Sequence, residues 1–169
     1  MMNLCSKTKS RSMRRTRGFS LLETLIAATV LAFAVVAVSQ AIVSGQMSTY
    51  AALHELRATS LAEAMLEEVL SKSYSDPDGS SSGEDDRSDW DNLTDFNGFA
   101  EDAGDVLDVA GAAYPSMFSE FARGVVVADS TMTIPGFDSA VTGKNVTVTV
   151  TDADGKQWSV TRFVPESSN

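Results

Sequence analysis

With 169 residues, 43% of them hydrophobic, the chain has room for one domain with an appended segment, and for one small core. Its net charge of −10 hides a split: six basic residues (Lys7, Lys9, Arg11, Arg14, Arg15, Arg17) and no acidic one lie in the first 18, and the remainder holds 7 basic against 23 acidic residues. A body that acidic repels nucleic-acid phosphates, so no nucleic acid is expected among its partners.

The basic start reads as a topology signal, because positive residues ahead of an apolar helix stay on the cytoplasmic side. The one cysteine, Cys5, lies in this stretch, so loss of the stretch would leave a chain with neither disulfide nor cysteine metal site. Residues 21–43 follow, LLETLIAATVLAFAVVAVSQAIV, with Glu23 the single charge. About 20 apolar residues suffice to cross a bilayer as a helix. A secretory signal would be shorter and end in a small-residue cleavage site. Here the apolar run continues into a helical pattern reaching about Leu70, which predicts a helix that is kept. Glu23 near its start is costly in lipid unless paired, although helix N-termini tolerate acids.

In residues 46–72, Leu53, Leu56, Leu61, Met65 and Val69 recur at helical gaps, widened by Leu66 and Leu70, with Glu55, Arg57, Glu63, Glu67 and Lys72 on the other side. This pattern predicts an amphipathic helix whose stripe is core. No proline interrupts residues 19–76, so the whole helix runs to about 54 residues, roughly 80 Å at 1.5 Å per residue. Gly45 is its soft point. His54 has no serine or cysteine nucleophile near it in the pattern and reads as a packing or surface residue.

Pro77 and Gly79 stop the helix, and a serine-glycine run opens an acidic stretch. Asp85, Asp86, Asp89 and Asp91 supply the oxygen ligands that calcium takes, although their spacing fits no EF-hand loop. The same residues also read as a solvated loop anchored by Trp90 and Phe96. Further on, residues 123–128 (RGVVVA) and 145–151 (NVTVTVT) are rich in β-branched side chains, the second with Val146, Val148 and Val150 on one face. Asp152-Ala153-Asp154-Gly155 reads as a turn and residues 157–164 as the returning strand. The resulting hairpin would cover the amphipathic helix, giving an α+β fold.

The string Arg17-Gly18-Phe19-Ser20-Leu21-Leu22-Glu23 resembles the type IV prepilin signal, in which a basic leader ends in Gly, followed by Phe, hydrophobic residues and a Glu five residues into the mature chain. The resemblance implies a pilin fold, a long N-terminal helix with a hydrophobic first half packed on a small antiparallel sheet. It implies a leader (1–18) cut off by prepilin peptidase between Gly18 and Phe19, with N-methylation of the new Phe19 amine. Residues 19–45 would be the transmembrane and filament-core helix and 46–72 its amphipathic half, followed by an acidic loop region (73–122) and the sheet (123–169). Glu23 would attract the Phe19 amine of a neighbouring subunit and set register in the growing filament. Expected partners are other pilin or pseudopilin subunits, the inner-membrane assembly platform and membrane lipid. The expected location is the bacterial inner membrane, single-pass with the C-terminal part outside the cytoplasm, and then a pilus or periplasmic pseudopilus. No cofactor is expected apart from the calcium reading.

A second, looser resemblance covers residues 61–98, where LAEAMLEEVL, the DPDG turn and the element from Trp90 to Gly98 are similar to minor pilins of the mannose-sensitive haemagglutinin pilus, the D subunit in particular. A minor pilin is therefore the expected role. The alternatives are a minor pseudopilin of a type II secretion system and a membrane-anchored protein that binds calcium or another ligand. No P-loop, zinc spacing or nucleophile elbow points to an enzyme. The Glu23→Ala variant is expected to assemble poorly, read as its share of the sheared filament fraction; assembly at the wild-type level would remove the pairing role.

Overall fold

The structure is a computed structural model that describes residues 20–77, 79, 84, 86–133, 135–136 and 140–166. Among the described residues a single helix, α1 (Leu21–Leu70), is followed by two short 3₁₀ turns (Leu93–Phe96 and Ser116–Phe118) and four strands: β1 (Ala100–Glu101), β2 (Phe121–Thr133), β3 (Ala140–Asp152) and β4 (Gln157–Pro165). The chain divides into two compact units, residues 1–47 and 48–169.

The first unit contains the apolar start of α1. Ser20 opens the helix: its hydroxyl accepts the Glu23 N–H at 3.2 Å, which satisfies one of the donors a helix start leaves free. Leu22, Ile26, Val30, Val36 and Ile42 are all more than half exposed. An 18-residue window here is apolar enough to cross a membrane, and none of its residues is buried.

In the second unit the end of α1 lies on an antiparallel sheet of order β1-β2-β3-β4. The buried face of the helix is Ala58, Leu61, Ala62, Met65, Leu66 and Val69. The sheet meets it with the inward residues of β2 (Phe121, Val125, Val127) and β3 (Val146, Val148, Val150), all buried. Strand alternation places them together, since every second side chain points to the same face. Each buried Leu, Val or Phe contributes about 1.5–3 kcal/mol by leaving water. On the opposite face Thr147 pairs with Thr161 and Thr149 with Ser159, each through hydroxyls 2.9 Å apart.

Leu53 and Leu56, placed on the stripe by their spacing, are instead 46% and 65% exposed. The five-residue step from Leu56 to Leu61 rotates the side chain by about 140° at about 100° per residue, which takes Leu56 off the buried face. The strands also run longer than their β-branched cores. β2 and β3 stay paired out to Thr133↔Ala140, whereas β4 leaves β3 at Gly143↔Pro165 and β1 meets β2 only at Arg123 and Gly124. The far end of the β2–β3 hairpin thus extends past Val127 and Val146, the last core residues on either strand.

The buried face predicts a contrast. Leu61→Ala should cost about 2–5 kcal/mol in urea unfolding of the detergent-solubilised chain. Leu56→Ala should stay within about 0.5 kcal/mol of wild type. Equal losses would mean that the face is wrongly assigned.

Candidate functional site

Gly18 and Phe19, the expected cleavage and methylation residues, lie outside the described residues. Glu23 occupies the third helical position of α1, behind its Ser20 cap. An acid there is favoured by the positive end of the helix dipole. Leu22, Ile26, Ala27 and Val30 line an apolar groove beside it. The Ser20 cap was readable in the sequence, because serine three residues ahead of glutamate is a helix-start signature.

Among the expected calcium ligands, Asp85 lies outside the described residues, and Asp86 and Asp89 are exposed. Asp91 is brought instead to Asp76 and Glu84, with one carboxylate oxygen from each within 4.8 Å of the others. The backbone fixes this group. Ser73 N–H donates to the Asp91 carbonyl at 3.0 Å, Trp90 Nε1 donates to the Glu84 carbonyl at 3.0 Å, and Gly79 N–H donates to Asp76 Oδ1 at 2.7 Å. Asp91 Oδ1 is buried without a hydrogen-bond partner among the described residues. Asp95 is taken up by the turn itself, its carboxylate accepting from the Asn92 N–H and side-chain amide at 3.0 and 2.8 Å. Trp90 and Phe96 anchor the segment edge to face, 4.8 Å between ring centroids, with Phe96 fully buried.

A larger electrostatic feature lies behind this loop. Arg123 points inward from β2 with its side chain 1% exposed and pairs with Glu101 of β1. Arg87 bridges the same Glu101, at 3.1 Å, to Glu68 of α1, which it grips through Nε and Nη2. Both guanidinium groups also donate to the Leu107 carbonyl. Burial opposes the charge on Arg87, yet the hydrogen bond it donates to Glu68 and the charges of Glu68 and Glu101 outweigh it and raise its pKa. Arg87 lies 5.3 Å from the Phe99 ring and Arg123 5.7 Å from that of Tyr114. The alternating Glu–Arg–Glu–Arg chain therefore joins helix, loop and sheet. Nothing in the local sequence announces it: the partners are spread over residues 68–123, and Arg123 merely begins a β-branched run.

His54 packs, as its setting in the sequence implied. Its ring lies 4.6 Å from Phe121 and 5.6 Å from Trp158, and Nε2 is 3.1 Å from Asp152 Oδ2. Burial tends to push the Asp152 carboxyl up. The N–H of Lys156, the His54 ring and the N–H of Asp154 outweigh that and hold it below the usual carboxylate range.

Residues 13–39 match the family model of the prokaryotic N-terminal methylation motif, a span that includes Gly18, Phe19 and Glu23. No curated protein and no solved structure matches the chain. The helix-and-sheet architecture is a pilin-like α+β arrangement. The motif supports a type IV pilin-like protein: a substrate of prepilin peptidase that assembles with other pilin subunits, and a structural subunit rather than an enzyme. The exposed apolar helix fits a membrane anchor with a single N-terminal span.

Two outcomes follow. Arg123→Met should cost about 1–3 kcal/mol in urea unfolding, because Glu101 loses one of its two buried partners and keeps Arg87 alone; a loss below about 0.5 kcal/mol would show that the chain of charges contributes little. Because the Asp152 pKa is lowered on folding, its stabilising contribution is present above the unfolded value of about 4 and is lost as pH falls through the lower folded value. The stability gap between wild type and Asp152→Asn should therefore be open at pH 6 and close below about pH 4, as read by denaturant titrations at each pH.

Proposed function

We propose that the chain is a minor structural subunit of a type IV pilus or pilus-like filament, delivered by its apolar helix. Prepilin peptidase cuts it between Gly18 and Phe19 and methylates the Phe19 amine. Glu23 then pairs with the Phe19 amine of a neighbour as the helix leaves the membrane for the filament. The observation that carries this reading is the coincidence of the methylation motif over residues 13–39 with a helix whose apolar start is exposed. Such a surface needs lipid or neighbouring helices around it. The minor role and the mannose-sensitive haemagglutinin type rest on the similarity of residues 61–98. The body would lie outside the cytoplasm, with the assembly platform of the inner membrane as a further partner.

The deciding experiment is the intact mass and N-terminal sequence of the protein from its native membranes. A chain that begins at Phe19 and is heavier by one methyl group is the expected result. A chain that begins at Met1, or one cut after the apolar run, would overturn the proposal.

A second reading concerns the body alone. The three converging carboxylates of Asp76, Glu84 and Asp91, one oxygen of Asp91 buried without a partner among the described residues, favour a divalent cation such as calcium in the acidic loop. Three carboxylates supply part of the six to eight oxygens that calcium takes, with water to complete the shell. Calcium at about 100 times its dissociation constant should stabilise the wild type by about 2.7 kcal/mol, seen as a rise in melting temperature over chelator. Asp91→Asn should lose that rise. An unchanged wild-type melting curve in millimolar calcium would dispose of the site.

A further inference from the structure

The sheet ends on two open edges, and its hydrogen bonds fix which backbone groups face them. On β2, Val125 exchanges hydrogen bonds with Gly98 and Phe99, and Asn97 Oδ1 accepts the Val127 N–H at 3.0 Å. Odd-numbered residues of β2 therefore turn their backbone groups away from β3, since this direction alternates along a strand. Past Val127 the cover stops: the N–H and carbonyl groups of Asp129, Thr131 and Thr133 have no partner among the described residues. On β4, the Lys156 carbonyl and the Glu166 N–H, just beyond either end, bond to Asp152 and Thr142. Even-numbered residues thus face β3, and Gln157, Ser159, Thr161 and Phe163 face the free side. Pro165 falls on that side too, where its missing N–H breaks no bond of the sheet. Neither strand carries a bulge. Edges this regular invite a further strand, and proteins restrain them with charges. Here each edge holds one, of opposite sign: Asp129 among residues 128–133 and Arg162 among residues 157–165. Both lie on the helix-facing side, in alternation with Val127 and Val160. Asp129 is 3.4 Å from Lys144, yet its side chain is 88% exposed, and Arg162 is exposed as well.

We propose that β4 of one copy pairs in parallel with the outer part of β2 of a second copy, Arg162 beside Asp129, so that the sheets join head to tail. Direction favours this over the pairing of two β4 edges. His54 lies against Trp158 at the start of β4, and Tyr74, just past the helix, lies 5.6 Å from Lys144, which faces Val164 near the end of β4. The body's part of α1 therefore runs the same way as β4. Two β4 edges paired antiparallel would point the helices in opposite directions. β4 on β2 keeps them pointing one way, as subunits drawn from one membrane must, and here the proposal rests on the filament reading. The register follows from the charges. The carbonyls of Thr161, Phe163 and Pro165 accept from the N–H groups of Asp129, Thr131 and Thr133 of the second copy, and the Phe163 N–H donates to its Asp129 carbonyl. In its own sheet Asp129 is level with Val164, so each copy is displaced from the next by two residues, about 7 Å. A contact between unlike edges that does not close on itself builds an open filament.

The test places cysteines at positions 128 and 161 of the full chain, with Cys5→Ser, and oxidises native membranes with copper phenanthroline. Ala128 and Thr161 are exposed on the outer face and oppose one another across the contact. Neighbouring strands are ~4.8 Å apart, within reach of a disulfide. Within one copy β3 lies between the two positions, so no internal bridge forms. The Ala128→Cys, Thr161→Cys chain should give a ladder of dimers, trimers and longer species on non-reducing gels, and either substitution alone should give no dimer. Absence of the ladder, or a dimer from one cysteine alone, would overturn the proposal. On the same background Asp129→Lys should cut the ladder about tenfold, because it faces Arg162 with a like charge. Adding Arg162→Asp should restore it, and a ladder indifferent to both changes would overturn the pairing. Mass spectrometry of the same samples separates this contact from the filament reading. Chains that start at Phe19 without a ladder sink the contact alone. A ladder on chains that start at Met1 upholds the contact and removes the filament reading.

Discussion

The second unit depends on the burial of one helix face against one sheet face. Leu61, Met65 and Val69 on the helix and Phe121, Val125, Val146, Val148 and Val150 on the strands are all at most 1% exposed. With a core this small and no cysteine among the described residues, the fold has few reserves. The rest of the unit is arranged around that contact. The hairpin sets strand register by alternation, the turn at Asp152 to Lys156 closes β3 onto β4, and Ser73 bonds the loop back to Asp91 and Leu93 directly beyond the helix.

The charge network shows what the core alone cannot do. The described residues between α1 and β2 contain no long strand or helix, and hydrophobic anchors such as Leu93, Phe96 and Val106 fix them at isolated points. Glu68, Arg87, Glu101 and Arg123 connect those points to the helix on one side and to the sheet on the other. Buried ion pairs of this kind add little net stability over apolar side chains but penalise any arrangement that leaves one partner unpaired. Specifying one loop conformation is thus the physical role that suits them.

Much of this was legible in the sequence, and what was not has definite reasons. The long helix could be read because no proline breaks it, and the β3–β4 hairpin because NVTVTVT alternates and an Asp/Gly turn follows. The motif around Gly18 could be read because its order is unusual. β1 could not be read: two residues, Ala100 and Glu101, carry no pattern, and they pair with β2 at Arg123 and Gly124. The outer parts of β2 and β3 were hidden because they bury no large apolar side chain, so no hydrophobic alternation marks them. The exposure of Leu56 was hidden by a five-residue gap that looks helical but turns away from the sheet. The Asp76–Glu84–Asp91 group was hidden because its members are brought together by the fold from three different places, whereas the run of neighbouring aspartates includes Asp86 and Asp89, which face water.

The length of the β2–β3 hairpin has a consequence for how such a chain can change. Its outer rungs, from Ser130↔Gly143 to Thr133↔Ala140, lie beyond the last core valines, and β1 does not reach them. Residues added between Thr133 and Ala140 would cost loop entropy alone, roughly 0.6 kcal/mol for each doubling of the loop. The arm is therefore a place where sequence can drift, lengthen or carry an inserted epitope while helix, core and charge network stay as they are.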